Sequence, residues 1–432
     1  KGHEKHQIYK NKIFNISDKK IIKKINVKKK FFTKKDLSYH QNNSILSNIL
    51  GKKKLLKFDG LSIDTRTLKK DNLFLAIKGR KNNGNKFINE ALKKKAGCII
   101  CSEKIKIKDK KIIKIKNVLS FLNLFAKSKR DHSLAKIIAV TGSAGKTSLK
   151  NLMKDLLKNF GKTYFSPKSF NNYLGVPISL SNLSPDDKFG VFEVGMSKAG
   201  EIRSLTKLIK PHVAVITNVG EAHIENFKNI KGIVDAKSEI IENIENGGTA
   251  ILNRDDKSFQ ILFKKAKSYK LKILTFGSHS KSDIQLKKIL KKNETSIIFV
   301  KIQNQIFSFK IKDLNTHNVL SSIAVLKALG LNFAKIIKKF KKFESPEGRG
   351  KKYQISRYKK KFKLIDESYN ANPLSVKNAI NKLKLIKKKK FKKYLVLGDM
   401  LELGLKSKSY HVGLSKVINN SDIDKVFIKG KK

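Results

Sequence analysis

Residues 136–157 constrain the fold more than any other stretch. KIIAV (136–140) is an apolar run of strand length, TGSAGKTS (141–148) follows directly, and SLKNLMKDLLKNF then carries a helical pattern. Strand, glycine turn and helix in that order predict a parallel α/β unit with a phosphate-binding loop at the strand's carboxyl end. Gly142 and Gly145 let the backbone turn tightly enough for its N–H groups to face phosphates. Lys146 supplies a point charge to the β- and γ-phosphates, and the Thr147 hydroxyl can hold Mg²⁺. The general loop has its first glycine where Val140 stands, so the match is to a shorter G-x-x-G-K-T form. A helix entry that holds G-K-T by chance would lack the preceding strand.

The rest of the chain extends this α/β pattern. Residues 32–130 form a first block: LSIDTRTLKKDNLFLAIKG alternates like strands, and NKFINEALKKKAG reads as a helix ending at Gly97. The second block, 131–343, alternates helices with short apolar strands such as VFEV (191–194) and VAVIT (213–217). The third, 344–432, reads strand (362–366), helix (374–388), strand (394–398), helix, strand. Strands alternating with helices imply parallel sheets with right-handed crossovers. The third block has too few elements to cover both faces of an open sheet, so it is expected to be truncated.

Ninety-seven basic against 34 acidic side chains give a net charge of +63, which taken alone points to nucleic acid or an anionic membrane. The distribution points elsewhere. Lysines occur in every segment, and seven of the basic residues are arginine, whereas a phosphate- or base-gripping surface favours the arginine fork. Background lysine enrichment is the preferred reading, with no nucleic-acid partner. No run of 18 or more apolar residues or signal-type h-region appears, so no membrane insertion and a cytoplasmic location are expected. Nothing suggests a dimer seam, and a monomer is expected. Cys98 and Cys101 form a lone C-x-x-C. Without a second ligand pair, a buried strand is favoured over a redox pair or half a zinc site.

A magnesium–phosphate site needs hard oxygen ligands beyond Thr147. Glu193, at the end of VFEV, would project beside the loop in a doubly wound sheet. His223 in TNVGEAHIENF and Lys237 in DAKSEI stand out only with further support.

That support is a resemblance. TGSAGKTS, NNYLGVP (171–177), EVGMSKAGEI (193–202), TNVGEAH (217–223), AKSEI (236–240), THN (316–318), EGRG (347–350), LIDESYNANPLS (364–375) and LGDMLELG (397–404) occur in the order they have in the Mur ligase family. The resemblance spans about residues 32–432. It implies a three-domain α/β architecture: a UDP-substrate-binding domain, a central P-loop parallel-sheet domain that binds ATP, and a C-terminal Rossmann-like domain. Through YNANP and GDMLELG it implies an ATP- and Mg²⁺-dependent ligase. That enzyme joins D-alanyl-D-alanine to UDP-N-acetylmuramoyl-tripeptide through an acyl phosphate, in peptidoglycan precursor synthesis.

Carried over by position, the resemblance assigns Gly142, Ser143, Ala144, Gly145, Lys146, Thr147 and Ser148 to the ATP phosphates. It adds Asn172, Asn318, Arg349 and Asp366 to the nucleotide site, with Asp366 on the ribose. Thr147, Glu193 and His223 are implied metal ligands, and Lys146, His223 and Lys237 implied catalytic residues. Lys237 matches a lysine that is carbamylated in the family, which turns an ammonium into an anionic metal ligand. Asp64, Thr65 and Arg66 resemble the element that grips the uridine nucleotide, with Thr65 replacing a serine. Asn171, Asn370 and Asn372 are implied substrate contacts. The sequence departs from the family at Asn315, often glycine, and at Ser321, often an asparagine that helps recognise adenine. Residues 1–27 resemble the closing segment of a sister ligase and 28–31 a junction, which fits either a fragment of a two-enzyme fusion or a read-through of adjacent genes.

Overall fold

The computed structural model describes residues 33–79, 82–292, 295–312, 314–357, 359–386 and 391–430; the readings of 1–27 and 28–31 lie outside the described residues. The chain forms two compact units. The first holds the described residues up to Ala135 together with Leu174–Lys188, and the second holds Lys136–Tyr173 and the described residues from Phe189 onward.

The first unit opens with the helix Lys34–Leu50. A capping box starts it: the Thr33 hydroxyl accepts from the Asp36 N–H while the Asp36 carboxylate accepts from the Thr33 N–H. Gly51, in the left-handed region at φ 65°, ends it. A parallel four-stranded sheet follows, in the order β1 (Leu61–Ser62), β2 (Leu73–Leu75), β3 (Cys98–Cys101), β4 (Ile112–Lys114).

The strand pattern expected through 61–79 is interrupted. Asp64 accepts from the Arg66 N–H through Oδ1 and from the Thr67 N–H through its carbonyl, which gives the backbone a turn in place of a ladder. The predicted helix begins as a 3₁₀ turn, Gly84–Phe87, and continues as Ile88–Lys93, stopping short of Gly97. Cys98 and Cys101 are both free and buried. Three residues apart on one strand, they face opposite sides of the sheet, so they can neither pair nor share a metal. Burial pushes the Cys98 thiol up to about 12. The helices Val118–Asp131 and Gly175–Ser181 pack on each other in this unit.

The second unit is built on a nine-stranded sheet among the described residues. Its strands are β5 (Lys136–Thr141), β6 (Thr163–Phe165), β7 (Phe189–Glu193), β8 (Val213–Ile216), β9 (Thr249–Asn253), β10 (Lys272–Gly277), β11 (Ile284–Lys292), β12 (Thr295–Ile302) and β13 (Gln305–Lys312). The spatial order is β13-β12-β11-β10-β9-β8-β5-β7-β6. From β6 to β11 all neighbours are parallel, as expected for buried apolar strands joined by helices. β12 and β13 add an antiparallel extension that the alternation of strands with helices does not predict. They need only hairpins: a two-residue turn, Gln303 and Asn304, joins them, and Gln303 takes φ 54°. On β12, Ile298, Val300 and Ile302 are buried at alternate positions, so one face meets the core.

Beyond this sheet, β14 (Lys351–Arg357) and β15 (Lys360–Asp366) form an antiparallel hairpin. β16 (Tyr394–Gly398) and β17 (Lys425–Lys429) pair in parallel. The intervening helix Pro373–Lys384 starts at an Asn372 cap, with proline in its first turn where no N–H is needed.

Candidate active site

The chain reverses direction across the sheet at β5. From β5 it crosses to β6 and returns to β7 on one side, then passes to β8 on the other. Such a switch point leaves a crevice beyond the carboxyl ends of the strands. Register places the relevant residues side by side there, with Val140 opposite Glu193 and Thr141 opposite Ile216.

The loop from Gly142 to Gly145 enters the helix Lys146–Leu157 with φ 144° at Gly142 and 86° at Gly145, values that L side chains rarely adopt. The segment after β8 holds it in place. The Ser143 hydroxyl donates to the Gly220 carbonyl and accepts from the Gly220 N–H, both at 2.9 Å. The Asn218 amide brackets Ala144, accepting from its N–H at 2.9 Å and donating to its carbonyl at 3.0 Å. Thr217 Oγ1 donates to the same carbonyl at 2.7 Å. Thr217, Asn218 and Gly220 fall within the TNVGEAH stretch, where nothing in the sequence alone marks them as supports of the loop. Their work is to fix the loop.

Charge is concentrated around Glu193. Its Oε2 accepts from Thr147 Oγ1 at 2.7 Å and its Oε1 from Asn171 Nδ2 at 2.9 Å, and the Lys150 ammonium lies 3.6 Å from Oε2. Lys146 Nζ folds back to donate to the Gly142 carbonyl at 2.7 Å. Burial lowers its pKa, which Glu193 opposes and Arg349 reinforces. Lys237, 2% exposed on the helix Ile230–Ser238, is pushed well below the ordinary lysine range by burial and by Lys146. His223, in the left-handed region at φ 61°, sets Nδ1 against Glu402 Oε2; burial moves the imidazole pKa down while Glu402 opposes the shift.

Later residues close the cleft. The Arg349 guanidinium lies 4.2 Å from the centre of the Tyr369 ring, and the Tyr369 hydroxyl donates to Ser169 Oγ at 2.7 Å. Asn372 Nδ2 donates to the Ser143 carbonyl at 3.3 Å, and Asn318 Nδ2 to the Gly145 carbonyl at 3.4 Å. The resulting cavity has a volume of about 890 Å³. Its walls include Ser143–Lys146, Ser148, Asn171, Asn172, Glu193, His223, Asn318, Arg349, Asn370 and Asn372.

Three family profiles match the chain: Mur ligase family, catalytic domain (residues 57–130), Mur ligase middle domain (140–329), and Mur ligase, glutamate ligase domain (353–432). A UDP-N-acetylmuramoyl-tripeptide–D-alanyl-D-alanine ligase of Rickettsia prowazekii is 32% identical over 375 residues, covering 86% of this chain and 82% of the relative. This chain belongs to the Mur ligase family. A Bacillus subtilis ligase of the same name is 30% identical over 376 residues, 86% of this chain and 80% of that protein. Among solved structures, MurF from Acinetobacter baumannii superposes with a TM-score of 0.80 at 26% identity, covering 91% of this chain and 86% of that one. MurF ligase from Thermotoga maritima in complex with ADP gives 0.73 at 28% identity, covering 86% and 84%.

Within this Mur ligase, the cleft gathers most of the candidate residues. Gly142 and Thr147 lie beneath its wall, in the loop and against Glu193. Lys237 is buried and outside the wall. Asp366 also lies outside it, accepting from the Ser368 hydroxyl and N–H and from the Gly348 N–H, which hold its carboxyl below the usual range. Ser321 is fully buried with its hydroxyl turned to the Asn318 carbonyl of its own helix, so it presents no adenine contact there. Asn315 caps that helix by accepting from the Asn318 N–H. In the first unit, Arg66 grips Asp64 through Nε and Nη2, and Thr65 is buried with its carbonyl accepting from Lys94 Nζ.

Proposed function

We propose that this Mur ligase joins D-alanyl-D-alanine to UDP-N-acetylmuramoyl-tripeptide at the expense of ATP. The observation that carries the reading is a phosphate loop whose lysine shares one cleft with Arg349 and the Asn171–Glu193 pair. It is supported by relatives of that name and by similarity to a MurF ligase solved with ADP.

The terminal carboxylate of the tripeptide attacks the γ-phosphorus, ADP leaves, and an acyl phosphate forms. The dipeptide amine then attacks the acyl carbon, expels phosphate and loses a proton to give the amide. Most of the catalytic work is alignment and charge neutralisation. Lys146 turns from the Gly142 carbonyl to the phosphates, and Arg349 is held over Tyr369 to meet charge developing on the transferred group. Asn171, Asn370 and Asn372 orient the peptide, and Asn172 and Asn318 the nucleotide, with Asp366 assigned to the ribose. Asp64, Thr65 and Arg66 take the uridine nucleotide.

Thr147 and Glu193 are in direct contact and offer hard oxygen donors that fit Mg²⁺. With His223 they would hold it, and the ion would neutralise phosphate oxygens. Among the described residues no group of three or more His, Cys, Asp or Glu converges on one point, so other oxygens would complete the set. Lys237 is assigned as the carbamylated position, and its displacement toward the neutral amine favours that reaction.

We assign residues 32–130 to UDP-substrate binding, 131–343 to ATP and 344–432 to the C-terminal Rossmann-like domain. No helix among the described residues is long and apolar enough to cross a membrane, and we place the reaction in the cytoplasm, carried out by a monomer. Mass spectrometry of the product tests the reading. Tripeptide precursor plus dipeptide minus one water is expected, and extension by a single amino acid in place of the dipeptide would overturn it.

A further inference from the structure

Lys150 is a buried cation that the proposed reaction leaves without a task. It lies four residues after Lys146 on the helix Lys146–Leu157, on the same face, and its side chain is 1% exposed. Lys146 and Glu193 line the cleft, whereas Lys150 does not, so its ammonium meets Glu193 from outside the cleft wall. Its Nζ lies 3.6 Å from Glu193 Oε2 and donates to the Lys168 carbonyl. With Thr147 Oγ1 on Oε2 and Asn171 Nδ2 on Oε1, both oxygens of the Glu193 carboxylate are held by the chain itself. A buried carboxylate left without a positive partner is costly, and Lys150 supplies that partner.

We propose that Lys150 is a resident counter-cation: it holds the Glu193 carboxylate aimed at the cleft before a divalent cation arrives, and it weakens that cation's binding by sharing the same carboxylate. Lys150 is thus a positioning residue that acts through Glu193. The inference rests on the reading of Thr147 and Glu193 as metal-side ligands. It gives the site a physical device: the carboxylate stays aimed at the cleft between turnovers, and the cation departs readily because a second positive charge lies beside its ligand.

The test is titration of the nucleotide-free protein with Mn²⁺, followed by the paramagnetic resonance signal of free Mn²⁺. Wild type is compared with Lys150→Met and Lys150→Gln, the second retaining a donor for the Lys168 carbonyl. Both variants are expected to bind Mn²⁺ at least 10-fold more tightly, and Mn²⁺ is expected to raise their melting temperatures more than that of wild type. Equal or weaker binding by the variants overturns the inference alone. Wild type that binds no Mn²⁺, or binds it as well after Glu193→Gln, overturns the ligand reading and the inference with it. Variants that fail to fold even in Mn²⁺ also count against it, since a stand-in for a cation is replaceable by one.

Discussion

Replacing Gly142 with alanine tests how tightly the phosphate loop is built. The new Cβ would sit 1.9 Å from Thr217 Oγ1 and 3.1 Å from Thr217 Cβ, at a φ of +144°. Holding an L residue in that conformation costs about 1–3 kcal/mol. Thr217 must also rotate, losing its 2.7 Å bond to the Ala144 carbonyl, about 1 kcal/mol net. Displacing a packed neighbour adds about 1–3 kcal/mol. The combined loss, about 3–7 kcal/mol, is a large part of the ~5–15 kcal/mol that stabilises a typical domain. Thr217→Ala alone removes the bond but not the glycine, and should cost about 1–2 kcal/mol. In the Thr217→Ala background, Gly142→Ala retains mainly its backbone strain, about 1–3 kcal/mol. Urea unfolding of the four proteins closes the cycle, and calorimetric ADP binding reports the loop directly. A Gly142→Ala cost below about 1 kcal/mol, or one unchanged by Thr217→Ala, refutes the argument.

Cys98 supplies a pH dependence. Its thiol is pushed up to about 12 by burial, so above the unfolded thiol pKa the unfolded chain releases a proton that the folded one keeps. Stability from this group is complete below about pH 8.5 and falls by up to ~1.4 kcal/mol per pH unit toward pH 12. Cys98→Ala should lose that component of slope relative to wild type in parallel unfolding curves, and identical slopes would contradict it. Tyr369→Phe removes the hydroxyl bond to Ser169 but keeps the ring under Arg349, so kcat/KM should fall by less than about 3-fold. Tyr369→Leu removes the ring as well, a loss of about 0.5–1 kcal/mol or more, and should lower kcat/KM further. Equal effects of the two would argue against a role for the stacked ring. Lys146→Met should abolish ADP binding in calorimetry while leaving the urea midpoint at or above that of wild type, because burial already disfavours its charge. A lower midpoint would assign the lysine a structural task instead.

The parallel core was legible because its strands are apolar throughout and its glycines fall where φ must be positive. KIIAV and VAVIT read as buried strands, and Gly142 and Gly145 as a turn facing phosphate. The β12–β13 extension was less legible because on β12 apolar Ile297 and Phe299 share the outer face with Lys301, which blurs the alternation with buried Ile298, Val300 and Ile302. The helix Lys34–Leu50 is polar along most of its length, but its Thr33–Asp36 capping box and Gly51 stop are sequence signals that could have found it. In the site, the phosphate loop and Glu193 were legible from the strand–glycine–helix order, His223, Lys237 and Arg349 only through the family resemblance, and Asn218, Lys150 and Glu402 by neither route. Each acts on another residue, on Ala144, Glu193 and His223 respectively, and such pairing emerges only when strand ends converge.

The central claim is ligation driven by ATP in one cleft, and phosphate release tests it most directly. The protein is incubated with ATP, Mg²⁺ and UDP-N-acetylmuramoyl-tripeptide, with and without D-alanyl-D-alanine, beside a Lys146→Met control. Release that requires the dipeptide and disappears in the control is the predicted result. Release at the same rate without the dipeptide, or no release with all substrates present, contradicts it.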